Sequence, residues 1–426
     1  MVWTTYKERI KRFSEQLVDA QKPIRILDAI KWPSGVEEQL KKTKFKEMPS
    51  IDAAYYEKNT LGFDPKKKIE EFESLITEIK LQLGVDDELG QRMVINCEEY
   101  QDVVRMLMHR GKKEFYDYSC KLYGSPKDTF RDERTTINDL AHVMYTILST
   151  LDDAVLGPVY PDDITAEETV RILNEKFSTY FTDNPVRAKI SDGIVADAAA
   201  GSDTVKIKEG AMFNRRDINI LEVHEGWVHV GTTMNGQNQH LCRFLAKGPP
   251  RVAPTQEGLA ILLEIFSFVS YPRRARTIND RVLGIDKVED GANLLELIEF
   301  YRTEGYSEED CINNVKRVFR GGLVTGGAPF TKDIAYIKGF IENYNFMRAA
   351  IKAGKPEYIP YLFVGKVHSS DVPLWYHKHQ EGIIDPPKYL PPQFKDLNGV
   401  AVWMSFSNVF NMIDMKKVQE YFSKIF

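Results

Sequence analysis

The stretch LEVHEGWVHVG, Leu221–Gly231, carries the six letters on which the reading of this chain turns: H-E-G-W-V-H. His224 and His229 are five residues apart, and Glu225 directly follows the first. The related pattern H-E-x-x-H sets two imidazoles four apart on one helix face, where both reach a single metal ion. Successive residues of an ideal helix turn by about 100°, so histidines four apart are offset by roughly 40° and histidines five apart by roughly 140°. A regular helix cannot aim His224 and His229 at one ion. A single-turn π-bulge can, because it absorbs one extra residue through i→i+5 bonding, and such bulges are frequent at functional sites. Gly226 lies inside the spacing and eases that distortion. The motif thus predicts a departure from regular helix near Gly226. The competing reading is a helix with two unrelated histidines, since the chain holds eight of them.

Working outward, a helix beginning near Arg216 carries the motif. Before it, residues 186–208 (VRAKISDGIVADAAAGSDTVKIK) alternate in short runs broken by SDG and AGSD, which predicts two or three antiparallel strands joined by tight turns. TAEETVRILNEKF opens with a capping box, Thr165 with Glu168. After the motif come a polar loop, MNGQNQH, a Pro-rich turn, KGPPRVAP, and an apolar helix, TQEGLAILLEIFSF, with Thr255 as its N-cap. The first 125 residues read as helical: KKKIEEFESLITEIKLQL spaces Ile69, Phe72, Leu75, Ile76 and Ile79 three or four apart. From about Ile137 the chain is mostly helical again, apart from the strands and the glycine-rich RGGLVTGGAPF. The predicted fold is α+β and predominantly α-helical, with a short antiparallel sheet beside the metal-binding helix. The predicted organisation is an N-terminal helical subdomain over 1–125 and a catalytic domain over 126–426.

Composition narrows the function classes. A chain of 426 residues with 43% apolar and 28% charged residues is that of an ordinary globular protein. A net charge of −5 gives no case for bulk binding to nucleic acid or anionic lipid. Cys97, Cys120, Cys242 and Cys311 form no C-x-x-C pair, so neither a zinc knuckle nor a disulfide framework is indicated. The charged start MVWTTYKERIKRF does not read as a signal peptide, and LAILLEIFSFVSY is too short to span a bilayer. A reducing, cytoplasmic setting is expected, with no membrane partner.

A hydrolytic zinc site needs imidazoles, a carboxylate, an open position for water and a base beside it. Glu225 answers the last need. The third protein ligand is open among His240, Glu257 and Glu264. His240 does not fit the H-x-x-G-x-x-H continuation. Glu264 also reads as a polar-face residue and Glu257 as a first-turn residue that compensates the helix dipole.

The string PTQEGLA, Pro254–Ala260, downstream of the histidine pair, resembles the family of bacterial QEGLA-motif proteins labelled "flavohaemoglobin expression-modulating". That family includes the animal microtubule-associated tyrosine carboxypeptidase, which removes the C-terminal tyrosine of α-tubulin. The resemblance runs from about residue 50 and is strongest over KEGAMFNRRDINILEVHEGWVH, PTQEGLA, FTKDIAYIKG and FVGKV, in that order. It implies a zincin-type fold with a gluzincin-like ligand set, one zinc ion held by His224, His229 and Glu257, and Glu225 as general base. It implies a carboxypeptidase acting on a protein or peptide C-terminus, with tyrosine or another aromatic residue as the candidate leaving group. No microtubule-binding extension is recognisable.

Such an enzyme must recognise a free α-carboxylate, normally with Arg or Lys. Candidates are Arg317, Arg320, Lys332 and Lys366, each of which also suits salt bridging or helix packing. Tyr336 is a candidate oxyanion or substrate donor. Gly321, Gly322, Gly326 and Gly327 read either as a close approach to substrate or as a flexible connector. His377 and His379 lack a third ligand at a recognisable spacing, His109 and His142 read as structural, and Trp227 as packing of the metal helix on the core. Two other function classes fit the residues: a regulatory or binding protein that keeps zinc for stability, and a metal-dependent endopeptidase or amidase.

Overall fold

The computed structural model describes residues 2–33, 35–151, 153–158, 160–183, 185–192, 194 and 196–425. It is predominantly helical with small sheets, an α+β arrangement. Among the described residues no helix is long and apolar enough to cross a membrane.

The motif sits in one unbroken helical run. Asn214 and Asp217 form a reciprocal capping box that starts the helix Arg215–Leu221. The run then changes to π-helix over Glu222–Val230 and returns to α-helix over Gly231–Gln237. The departure near Gly226 is therefore present, but it spans nine residues instead of one turn. Two pairs with the same five-residue spacing explain the length. Val223 and Val228 both enter the main core, while His224 and His229 both face away from it toward the site. The spacing of 5 suits one i→i+5 turn for each pair. Side chains steady the π segment: Thr232 Oγ1 donates to the Val228 carbonyl at 2.6 Å, and Thr233 Oγ1 to that of His229 at 2.8 Å. Gly226 serves a close approach, since a Cβ there would stand 2.4 Å from Cε1 of Phe177, on the neighbouring helix Ala166–Tyr180.

The polar stretch MNGQNQH departs from its predicted loop. Met234–Gln237 continue the helix because Asn235 is buried and fully used. Its amide donates to the carbonyls of Phe363 and Tyr389 and its oxygen accepts from the Lys388 and Tyr389 amides.

The helix that carries PTQEGLA runs Ala253–Phe266, after a 3₁₀ turn at Pro250–Val252. Thr255 is not its N-cap. It lies inside the first turn, buried, and its hydroxyl accepts from the Ser369 amide at 3.0 Å. This helix meets Ala335–Lys352 backbone to backbone. A Cβ on Gly258 would stand 2.0 Å from the Gly339 carbonyl carbon, and one on Gly339 would stand 1.7 Å from the Pro254 carbonyl oxygen. Asn343 Nδ2 closes the crossing with a bond to the Thr255 carbonyl at 2.8 Å.

The strands are β1 (Ile164–Thr165), β2 (Arg187–Ser191), β3 (Ala198–Ala200), β4 (Thr204–Lys208) and β5 (Met212–Phe213). β1 and β5 pair antiparallel. The other three order as β2-β4-β3, with β3/β4 antiparallel but β2/β4 parallel. The wholly antiparallel sheet predicted from the sequence is thus corrected to a mixed one; Gly193 and Val195 of that stretch lie outside the described residues. In the parallel register Ala188 lies beside Val205 and Ile190 beside Ile207. All four apolar side chains then share one face, packed in a core with Leu173 and Phe177. Asn174 holds β2 there, bonding both the amide (2.9 Å) and the carbonyl (3.2 Å) of Ala188. Thr165 caps Ala166–Tyr180 through the Glu168 amide, but the reciprocal half of the box is absent because the Glu168 carboxylate pairs with Arg171.

N-terminal helices Pro65–Leu83, Glu88–Met108 and Lys113–Tyr123 appear as the periodicity predicts, with Phe72, Leu75, Ile76 and Ile79 buried. They share a continuous apolar core with Val223, Val228, Leu259 and Leu263. The helical run that carries the motif is thus braced by the N-terminal helices on one side and by the sheet, through Val230, on the other.

The glycine crossing gives a direct test. Gly339→Ala forces a methyl into the Pro254 carbonyl, and the expected loss of stability is about 1–3 kcal/mol. Urea denaturation reads it out; an unchanged midpoint would mean that the two helices do not touch through their backbones.

Candidate metal centre

The π segment and the helix Ala253–Phe266 bring three side chains together. His224 and His229 present their Nε2 atoms to the same Glu257 oxygen, Oε2, at 3.5 and 3.4 Å. The two rings stand 4.9 Å apart, nearly perpendicular at 77°. Among the described residues these three form the one group whose donor atoms, all within 4.8 Å of one another, could hold a metal ion. Glu257 Oε2 is buried without a hydrogen-bond partner. A buried carboxylate oxygen in that state costs free energy unless a cation or donor meets it. Two imidazole nitrogens and one carboxylate oxygen are also the donor set of catalytic zinc sites that leave a position open. The residues present therefore fit a zinc ion.

Glu264 is drawn into the same cluster from the same helix. It lies seven residues, or two turns, after Glu257, so both carboxylates share one face. Nδ1 of His224 donates to Glu264 Oε1 at 2.7 Å, so the ring is fixed on that side while its Nε2 faces Glu257. Glu264 is fully buried and is in turn fixed by Arg274, whose Nη2 donates to Oε1 at 3.0 Å. A carboxylate on the far nitrogen of a ligating histidine fixes its tautomer and its aim. Of the three candidates for a third ligand, the structure brings Glu257 to the two Nε2 atoms and places Glu264 behind His224. It leaves His240 away from the cluster, bonded through Nδ1 to Asp385 at 2.6 Å.

The electrostatics follow from this packing. Burial alone would lower the pKa of His224, but the Glu257 and Glu264 carboxylates beside its two nitrogens push it up to about 9. Burial would raise the carboxyl of Glu264, yet Arg274 and His224 hold it down at about 2. Burial likewise opposes ionisation of Glu257, and Lys332 and the two imidazoles still hold it well below the usual carboxylate range. Both carboxylates are thus ionised, and His224 holds a proton that a metal ion would have to displace.

Around the triad, Lys332 Nζ donates to Glu257 Oε1 at 3.0 Å. Lys366 Nζ donates to the His229 carbonyl at 2.9 Å and to Gln256 Oε1 at 2.8 Å, so it braces the end of the π segment. Burial pushes the Lys366 amine down to about 7, which Glu257 and Glu225 only partly oppose. Arg317 forms a two-pronged pair with Asp333 at 2.5 and 3.0 Å, and its Nη2 lies 3.5 Å from the Tyr336 hydroxyl. The Tyr336 ring is 6.2 Å from that of His224. Burial, then Glu257, raises the pKa of this phenol above its ordinary value. Arg320 is nearly buried, with its guanidinium over the Phe330 ring at 5.5 Å. Glu225 is partly exposed, within charge range of His224, Arg274 and Lys366. Its carboxylate makes no hydrogen bond or ion pair among the described residues.

The remaining histidines stay apart. His377 reaches Tyr358, His379 the Ile384 carbonyl and His109 the Arg105 carbonyl, while His142 is exposed. Trp227 stacks on Tyr180 at 5.5 Å and packs on the main core. Of the glycines of RGGLVTGGAPF, Gly321 packs against Phe115, Gly322 against the Ala328 carbonyl and Gly326 against that of Gly291, while Gly327 faces open space. Arg274 and Asp333 escaped the sequence reading. The seven-residue spacing of Glu257 and Glu264 was the available signal for the two-carboxylate clamp.

Glu264→Gln keeps the shape and removes the charge behind His224. Metal affinity, measured by chelator competition, is expected to fall about 10–100-fold; an unchanged affinity would show that Glu264 does not act on the ligand ring.

A family model described as microtubule-associated tyrosine carboxypeptidase matches residues 38–412, a span that contains the triad, Glu225, Arg317 and Tyr336. No curated protein matches the chain.

Proposed function

The chain belongs to the microtubule-associated tyrosine carboxypeptidase family, and we propose that it is a zinc-dependent carboxypeptidase of gluzincin type, acting on the C-terminus of a protein or peptide. The observation that carries this reading is the buried, partnerless Glu257 Oε2 facing two imidazole nitrogens. His224, His229 and Glu257 would hold the ion, with Glu264 and Arg274 fixing His224 from behind. Zinc bound there would supply Lewis acidity for the attacking water and the scissile carbonyl.

The chain's own residues account for the remaining steps. Glu225, free of other partners, accepts the proton of the attacking water and then passes it to the leaving amine. The Tyr336 hydroxyl, kept protonated by burial and by Glu257, donates to the carbonyl oxygen as negative charge develops. Arg317 at 3.5 Å orients that hydroxyl. The short strand β3 packs beside the π segment and pairs with β4 along one edge. Its other edge suits a substrate chain that adds as an extended strand. A C-terminal aromatic residue is the leaving group proposed from family membership. The four free cysteines suit a cytoplasmic, reducing setting.

Glu225→Gln is the decisive variant. In a peptide library with varied C-termini, read by mass spectrometry, wild type is expected to shorten peptides by their last residue. The variant is expected to be slower by about 10²–10⁴-fold with one zinc still bound per chain. Zinc binding without any cleavage by wild type would instead mark a regulatory or binding protein, and internal cuts with intact C-termini an endopeptidase.

A further inference from the structure

The carboxypeptidase reading requires a cation free to meet the substrate's α-carboxylate, and the obvious ones are engaged. Lys332 is paired with Glu257, Arg274 with Glu264, and Arg317 with Asp333. Lys366 is spent on the His229 carbonyl and Gln256. Among the described residues, two arginines near Tyr336 have no carboxylate within ion-pair distance: Arg281 and Arg320. Both are desolvated, and burial together with the neighbouring Arg317 pushes each guanidinium down to about 10. Asp333 lies within charge range of both but is paired with Arg317, so neither guanidinium has a carboxylate at ion-pair distance, and a further anion fits as the direct partner.

The two differ in what they can offer. Arg320 is 7% exposed, lies over the Phe330 ring and has a buried Nε with no acceptor. It has no open side from which a ligand could approach. Arg281 is half-buried. Its Nε donates to Asn314 Oδ1 at 3.0 Å, which fixes the plane of the guanidinium. That is its one side-chain hydrogen bond among the described residues, so both terminal amino groups are without a protein acceptor. Its electrostatic neighbours are Arg317, Asp333, Tyr336 and Arg274, so it lies within charge range of the hydroxyl that borders the triad. Arg274 and Arg281 are two turns apart on the helix Pro272–Glu289, so they share a face. Arg274 braces Glu264, and Arg281 presents the next guanidinium along the same side.

The geometry points to Arg281 as the residue that receives the substrate's terminal carboxylate, its two free amino groups donating in parallel to the two carboxylate oxygens. This assignment rests on the carboxypeptidase reading. It makes Arg281 a specificity-determining residue that separates a peptide acid from the corresponding amide. An arginine fork suits that task because it matches carboxylate geometry, which a lysine does not.

The test uses two peptides identical but for a C-terminal acid or amide, with zinc-loaded wild type, Arg281→Met and Arg281→Lys. Wild type is expected to prefer the acid. In Arg281→Met, kcat/KM for the acid falls about 100-fold, mainly through KM, while the amide is unaffected. Arg281→Lys recovers part of the loss. The melting temperature of ligand-free Arg281→Met is expected to hold or rise, because an uncompensated charge has been removed. A preference for the acid that survives in Arg281→Met, or an equal loss on acid and amide, overturns the assignment. A second arm measures equilibrium binding of both peptides to Glu225→Gln, with and without Arg281→Met. If wild type hydrolyses neither peptide but the acid still binds better through Arg281, the assignment stands and the hydrolytic reading fails. If the acid has no binding advantage that depends on Arg281, the assignment fails.

Discussion

One imidazole set between two carboxylates organises this site. His224 lies between Glu257 on Nε2 and Glu264 on Nδ1, and both carboxylates come from the single helix Ala253–Phe266. Any rotation or slide of that helix moves the Glu257 oxygen and the Glu264 brace together. The helix is fixed in turn by its backbone contact with Ala335–Lys352, where Gly258 and Gly339 leave no room for a side chain. That same crossing delivers Lys332 and Tyr336 to the triad. Fold and site are therefore one construction: the glycines set the distance, and the distance sets the chemistry.

The second constraint is the π segment. A spacing of five between His224 and His229 is incompatible with a regular helix and natural in i→i+5 bonding. The same spacing recurs in Val223 and Val228, so the core and the site demand the same helical period. Thr232, Thr233 and Lys366 then supply donors to carbonyls at the end of the segment. The extra residue in HEGWVH is thus matched by packing on one face and by hydrogen bonding at the end.

Much of this was legible in the sequence, and what was missed has physical causes. The spacing of His224 and His229 foretold the departure from regular helix because helical geometry allows few alternatives. It did not foretell a nine-residue extent, which depends on Val223 and Val228 meeting a core assembled from distant helices. Residue types alone left Glu257 and Glu264 open as the third ligand, because each is a carboxylate on the same face of one helix. The PTQEGLA resemblance chose Glu257, and in the fold the His224 ring has Glu257 at Nε2 and Glu264 at Nδ1. Arg317, Lys332 and Lys366 were visible as basic residues near glycine-rich or apolar strings, but their partners Asp333, Glu257 and the His229 carbonyl come from the packed fold. The polar string MNGQNQH read as a loop because burial of Asn235 leaves no mark on local composition. The parallel β2/β4 pairing was hidden likewise, since alternation records which face is apolar and says nothing of strand direction.

Whether His224, His229 and Glu257 form a zinc site is read from anomalous diffraction at the zinc absorption edge, with crystals of the purified protein. One anomalous peak is expected, bonded to Nε2 of both histidines and to a Glu257 oxygen at about 2.0–2.2 Å, with Glu264 still on Nδ1 of His224. A zinc peak elsewhere, or a triad that stays metal-free in zinc-saturated crystals, would contradict that assignment.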